Sequence, residues 1–286
     1  GTWWIDFDDH YGGWLQIDEG ENGPEAQLLW RVGSARPVKI ESISEKELVL
    51  SRKRRGNQIR FVATLDDGKL RIGKTDGTET AIGGRCPEMP ARPDLSNVSF
   101  GEPVALFNGR DLTGWQLQPM SAKNGWRVEN GELINETPKT DFSAYGEFGN
   151  LRTTSTFGDG RLEIEFNVGE KGNSGIYIRG LYEAQVVDRD SSMQGISGPG
   201  AIFGLVAPNE NAGLEGGEWQ SYVITLVDRH LSVELNGKLV IDNQPVPGCT
   251  GGAIHGNVTN DGPLYLQGDH TSVRYRNIRF QPRLTD

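Results

Sequence analysis

"GNSGIYIRGLYEAQVVD", residues 172–188, holds two short runs either side of a break at Gly180-Leu181. Tyr occurs in both, with Ile in the first and Val in the second, the composition of pleated strands rather than of helices. Side chains alternate across a strand. The second run therefore separates Glu183 and Gln185 from Tyr182, Ala184 and Val186. Read as two adjacent strands, the stretch puts Tyr177, Arg179, Glu183 and Gln185 at alternate positions, which is dense polar chemistry for the middle of a β protein.

The neighbouring sequence follows the same period. "RLEIEFNV" (161–168) sets Leu162, Ile164 and Phe166 against Glu163, Glu165 and Asn167, and "LYLQ" (264–267) sets Leu264 and Leu266 against Tyr265 and Gln267. In "HLSVELNGKLVIDNQ" (230–244), Asn236-Gly237 lies between two alternating runs, the pair best suited to a type I′ hairpin turn. No helical period of useful length appears, and about ten short strands with glycine-rich turns predict a two-sheet jelly-roll sandwich. If its strands lie side by side, their polar residues merge into one floor of carboxylates, amides and tyrosines that suits a sugar. The bland reading is the solvated face of an antiparallel sheet.

Upstream, prolines at 87, 90 and 93 interrupt the pattern, so residues 91–101 read as a linker between a small β domain, 1–90, and a larger one, 102–286. In the first domain, "KELVLSRKR" and "QIRFVATLDDGKLRIGKTDG" carry strand and hairpin signals, which predict a small β-barrel or β-sandwich. Trp3, Trp4, Trp14 and Trp30 could stack on a ligand there, but in so small a domain they are read as core residues. The run "RKRRG" (52–56) is read as a solvated turn.

Acids outnumber bases 39 to 29, giving a net charge of -10, which argues against a nucleic-acid partner. No stretch has the length of a membrane span, and the start "GTWWIDF" carries no leader pattern, so a periplasmic or extracytoplasmic protein with its signal peptide removed is expected. Cys86 and Cys249 have no metal-ligand or redox spacing, and their pairing is left open.

Residues 102–282 resemble the bacterial 3-keto-disaccharide hydrolase family. The resemblance runs through "LFNGRDLTGWQ", "WRVENGEL", "GNSGIYIRGLYEAQVVD", "GEWQSYVIT", "LNGKLVIDN" and "GPLYLQGDHTSVRYRNIRF". It implies a concanavalin-like sandwich acting on glycosides whose C3 hydroxyl is already a ketone, with an upstream sugar 3-dehydrogenase supplying that oxidised carbohydrate. A C3 ketone makes the C2 proton acidic; its removal expels the C1 oxygen, and water adds to the enone. Such a site needs a base, enolate donors and a leaving-group acid.

At the matching positions Glu183 and Glu165 are candidate bases and His270 the candidate acid. Tyr177, Arg179, Gln185, Asp188, Trp219 and Gln267 are candidate substrate contacts. Ser174 lacks nucleophile-elbow spacing and reads as structural. No cofactor is fixed by the sequence; a divalent metal on Asp188, Asp190 and Glu183 is the metal-bearing alternative, although no recognised metal motif is present. Two other functions remain open: a lectin-like carbohydrate-binding protein, and a conventional glycosidase pairing Glu183 with Glu163 or Glu165.

Overall fold

The computed structural model describes residues 1–138 and 147–284. It is almost wholly β. Two 3-10 turns, Leu95–Asn97 and Gly195–Ser197, are the helical elements among the described residues, and no helix there is long and apolar enough to cross a membrane.

The chain divides into two units. The first comprises Gly1–Met89 and, returning from far along the sequence, Pro247–Asn260. Its strands are β1 (Thr2–Phe7), β2 (Tyr11–Gly20), β3 (Gly23–Leu29), β4 (Arg36–Ile43), β5 (Glu47–Arg54), β6 (Asn57–Asp66), β7 (Lys69–Lys74) and β8 (Thr80–Arg85), and they pair in chain order into a closed barrel. Closure leaves no unpaired strand edge. Strand parity fills the interior with Ile5, Leu15, Leu28, Val38, Leu50, Phe61, Ile72 and their neighbours. Trp30 belongs to this core, 4.7 Å edge-on to Phe7, and buried Trp14 donates from Nε1 to the Cys249 carbonyl at 2.9 Å. Trp3 and Trp4 are only half-buried. Cys86 and Cys249 are both buried and neither is in a disulfide.

The second unit, Pro90–Val246 with Asp261–Asp286, is a sandwich. In chain order its strands are β9 (Val104–Ala105), β10 (Trp115–Gln118), β11 (Trp126–Glu129), β12 (Glu132–Asn135), β13 (Asn150–Thr153), β14 (Gly160–Val168), β15 (Asn173–Ile178), β16 (Tyr182–Val187), β17 (Trp219–Val227), β18 (His230–Leu235), β19 (Lys238–Pro245), β20 (Tyr265–Leu266) and β21 (Val273–Pro282). A five-stranded sheet runs β10-β13-β20-β15-β16, and an eight-stranded sheet contains β11-β12-β21-β14-β17-β18-β19 with β9 beside β21. Asn236 and Gly237 both have positive φ, 53° and 77°, at the tip between β18 and β19, the requirement that the sequence anticipates.

Register explains the core. Leu117, Leu151, Leu266, Ile176 and Ala184 stand opposite one another across all five strands, forming an unbroken apolar row. Leu162, Ile164 and Phe166 of β14 supply the facing layer, with Phe166 stacked 4.9 Å from Tyr222. Two tyrosine hydroxyls are bonded inside: Ser174 Oγ meets the Tyr275 hydroxyl at 2.8 Å, and the Tyr222 hydroxyl donates to the Gln185 carbonyl at 2.5 Å. Ser174 is thus a core residue, as expected for a serine without an elbow.

Candidate active site

One residue along each strand of the five-stranded sheet, the other face begins. Gln116, Arg152, Tyr265, Tyr177 and Glu183 form a row across it in register, and Gly175 stands opposite Gln185 in the next row. The alternation read from "YEAQVVD" and "LYLQ" therefore does put Glu183, Gln185, Tyr265 and Gln267 on one side. Being turned from the core does not make this face wet: Glu183 is 3% exposed and Gln185 1%.

Glu183 is the chemically perturbed member. Burial disfavours its carboxylate and raises its pKa to about 8, with the negative charge of Asp269 adding to the rise and a hydrogen bond from Tyr177 opposing it. Tyr177 is buried too, and burial together with Glu183 pushes its own pKa well up, so its hydroxyl keeps its proton. Its ring meets Tyr265 edge-on at 4.9 Å. Gly175 makes room for this acid. A Cβ there would lie 2.2 Å from Glu183 Oε1, so the glycine is required by close approach rather than by a turn.

A second proton-transfer group follows β20. Asn150 donates to the Tyr265 hydroxyl at 2.6 Å and accepts from the backbone N–H groups of Gly268 (2.6 Å) and Asp269 (3.2 Å). This fixes the turn that carries Asp269 and His270. Asp269 Oδ1 lies 2.7 Å from His270 Nδ1. With Nδ1–H donating to that carboxylate, Nε2 is the basic nitrogen of the ring. Gln185 Oε1 and Gln267 Oε1 are buried without a hydrogen-bond partner among the described residues, as expected of groups that await hydroxyls.

Four expected site residues stand elsewhere. Glu165 is on β14 in the other sheet, bonded to Arg276 Nε at 2.6 Å and Asn277 Nδ2 at 2.7 Å; these partners hold its pKa below the usual value against the opposing effect of burial. Alternation gave its face correctly but not its sheet. Trp219 is on β17 of that same sheet, where Arg276 covers its ring at 3.9 Å. Arg179 is a turn residue, φ 57°, bonded to Asp159 at 3.2 Å, so it leaves the strand's alternation before it can face Glu183. Asp188 accepts from the backbone N–H of Lys171 and closes a turn. Asp190 is paired with Arg189, and among the described residues no group of three His, Cys, Asp or Glu side chains is placed to hold a metal.

The sequence reading also missed residues. Asp269 adjoins the His270 that it does name, and Gly175 falls at the parity of Glu183's row; both signals were present. Asn150 and Arg152 lie on a four-residue strand too short to show a period.

A buried neutral carboxylic acid, amide oxygens without partners on its sheet face, and a carboxylate-oriented imidazole in the turn after β20 can move protons around a polyhydroxylated ligand. The model of a family described as 3-keto-alpha-glucoside-1,2-lyase-like domain matches residues 102–281. Among solved structures, a protein from Parabacteroides distasonis provisionally called a glycosyl hydrolase is 24% identical, with 68% of this chain and 92% of that one covered and a TM-score of 0.50. Another from the same organism, named in the same way, is 20% identical over 63% and 93% of the two chains, with a TM-score of 0.49. A non-specific endo-beta-1,3(4)-glucanase of family GH16 is 16% identical over 68% and 97%, at a TM-score of 0.40. No curated protein matches the chain.

Proposed function

Since the match over residues 102–281 covers more than half of the chain, the chain belongs to the 3-keto-alpha-glucoside-1,2-lyase-like family, and on that premise we propose that it cleaves 3-keto-glycosides by elimination and hydration. The observation that carries this reading is the buried Glu183, raised to about pKa 8 and influenced by Asp269, the partner of His270. Its two proton-transfer groups differ in kind. His270, oriented by Asp269, takes the C2 proton on Nε2, and the C–H electron pair moves into the C3 carbonyl as an enolate. Collapse of the enolate breaks the C1–O bond, and Glu183, neutral at pH 7, gives its proton to the departing oxygen. Water then adds across the enone at C1, returning a proton to C2 and leaving a free 3-keto sugar.

This assignment reverses the roles expected from sequence, and the reason is desolvation: a carboxyl group with a pKa near 8 is mainly an acid at neutral pH. Gln267 serves hydroxyls and the enolate through its amide, and Gln185, whose Nε2 donates to Met193 Sδ at 3.7 Å, serves as an acceptor through Oε1. A sugar 3-dehydrogenase has to supply the ketone. The two-carboxylate glycosidase fits less well. Facing sheets stand about 10 Å apart, and Glu165 sits in the opposite sheet at the parity turned away from the sandwich core, so it and Glu183 do not flank one bond.

The test is to incubate the protein with a 3-keto-disaccharide and with its unoxidised parent while following released sugar, with deuterium at C2. Cleavage of the oxidised substrate alone, with deuterium lost to solvent, is expected. Equal cleavage of both, or full retention of deuterium, would exclude elimination, and saturable sugar binding without turnover would leave a lectin.

A further inference from the structure

The barrel unit has chemistry of its own that the sandwich does not explain. Along β5, Leu48 and Leu50 point into the barrel core, and the same parity continues through Arg52 to Arg54. On β4, Val38 is inward and Arg36 shares its parity; β3 reaches the same end of the barrel through Ala26, Leu28 and, just beyond the strand, Trp30. At this end the row changes from aliphatic to arginine on two adjacent strands, with Arg52 half-buried and Arg36 and Arg54 exposed at the rim. The turn that follows β5 is Arg55-Gly56, with φ 48° and 83°, so Arg52 and Arg54 are strand residues and not members of the solvated turn that "RKRRG" suggests.

A cavity of about 640 Å³ opens here, with Trp30, Arg36, Lys39, Arg52, Lys53 and Arg54 in its lining. That is ligand size and far more than a single oxyanion occupies. Five cations on one cavity are notable in a chain of net charge -10. None of the five side chains makes a hydrogen bond or ion pair among the described residues, although Arg52 packs over the Phe61 ring at 5.6 Å. Arg52 Nε is buried with no acceptor. Burial, together with the charges of Arg54 and Arg36, lowers the Arg52 pKa, a sign of like charges gathered without a counter-charge. Glu79 accepts from Trp30 Nε1 at 2.7 Å and pairs with Lys74 and Arg31, while Glu41 pairs with Arg60, accepts from Gln58 and also feels the charge of Lys39.

We propose that this end of the barrel, at Arg36, Arg52 and Arg54, binds a carbohydrate that carries carboxylate or sulfate groups. Guanidinium groups match planar or tetrahedral oxyanions through paired N–H donors, and several of them on one cavity require a ligand with more than one such group. The anionic half of the inference stands on the barrel alone; the carbohydrate half rests on the proposed activity of the sandwich. Such a unit would hold the enzyme on an acidic glycan while the sandwich acts on an oxidised residue.

The test uses the whole chain and calorimetric titration with four probes: a trigalacturonate, a sulfated oligosaccharide, a neutral oligosaccharide and inorganic phosphate. At least one acidic glycan should bind, more weakly at higher salt because the contacts are ionic. Binding should fall at least about tenfold in Arg52→Gln/Arg54→Gln, the scale for losing charge-assisted contacts. Cleavage of a 3-keto-glycoside and the melting temperature should be unchanged in that variant, which separates lost binding from lost folding. The site is overturned if neither acidic glycan binds at millimolar concentration or if the variant binds as tightly as the parent. Phosphate binding as tight as that of the glycans would overturn the carbohydrate assignment. If acidic glycans bind but no 3-keto-glycoside is cleaved, the proposed activity falls and the anion site remains.

Discussion

The outer face of the eight-stranded sheet carries Glu165 and the polar face of the five-stranded sheet carries Glu183, yet the two environments drive these acids in opposite directions. Glu165 meets Arg276 and Asn277 on its sheet's solvent side, and their hydrogen bonds lower its pKa. At Glu183 burial dominates and, with the charge of Asp269, raises the pKa to about 8 while the Tyr177 hydrogen bond opposes. Polarity alone therefore does not mark a site. What does is an acid whose burial outweighs its hydrogen bonds, because its ionisation is then poised near working pH.

The largest expected effect breaks this comparison at Glu183. Glu183→Gln removes the acid while keeping its shape and should lower kcat on a 3-keto-glycoside by about 10²-fold or more, the usual scale for a general acid. Substrate affinity should move far less. In the parent protein, activity should decline as pH rises through about 8, where Glu183 loses the proton it donates, and that limb should be absent from the residual activity of the variant. Stability follows the same sign. The folded pKa is raised above the ordinary 4.5, so the contribution of Glu183 is fully present below about 4.5 and is lost as pH rises through about 8. Urea denaturation across pH 5–8 should show the parent losing stability relative to Glu183→Gln, by an amount on the order of a few kcal/mol at roughly 1.4 kcal/mol per pKa unit. A pH-independent difference between the two would remove the desolvated acid from the account.

Next in size is the partner of the imidazole. Asp269→Asn keeps the turn that Asn150 organises but removes the charge that orients His270, and kcat should fall by roughly 10- to 100-fold. The apparent pKa of Glu183, read from the basic limb, should also drop, because Asp269 contributes to its elevation. A purely structural role for Asp269 would leave that limb in place. Gly175→Ala should follow, at about tenfold in kcat: the added methyl would sit 2.2 Å from Glu183 Oε1 and force the carboxyl aside. Unaltered kinetics in this variant would show that the position of Glu183 is not critical.

How much of this was legible follows from what alternation encodes. Period 2 sorts Glu183 and Gln185 from Ala184 and Val186, and Asn236-Gly237 fixes its own turn, since both are properties of consecutive residues. Period 2 says nothing about which strand lies alongside, so Glu165 was placed in the wrong sheet although its parity was right. Arg179 was misplaced because the break begins one residue earlier than Gly180 suggests: Leu181 N–H donates to the Ile178 carbonyl at 3.1 Å, making Arg179 and Gly180 the central turn residues. The return of Pro247–Asn260 to the barrel unit has no local signature at all. Trp219 looked like a sugar platform, but composition cannot reveal that two arginines, Arg274 and Arg276, already stack on it.

The smallest effect is the control on which the comparison turns. Glu165→Gln deletes a carboxylate that shares its residue type, its strand parity and its family-matched segment with Glu183's, and differs from it mainly in environment. Its side chain is 31% exposed, and its ion pair with Arg276 belongs to the class worth about 0–1 kcal/mol. The sign of its pH dependence is also opposite. Its folded pKa lies below the ordinary value, so the contribution is present above about 4.5 and is lost as pH falls through the folded pKa. Turnover of a 3-keto-glycoside should therefore stay within about twofold of the parent, and any loss of stability should be small at neutral pH and vanish in acid. A hundredfold loss of kcat in Glu165→Gln, with Glu183→Gln near parent activity, would move the chemistry to the other sheet.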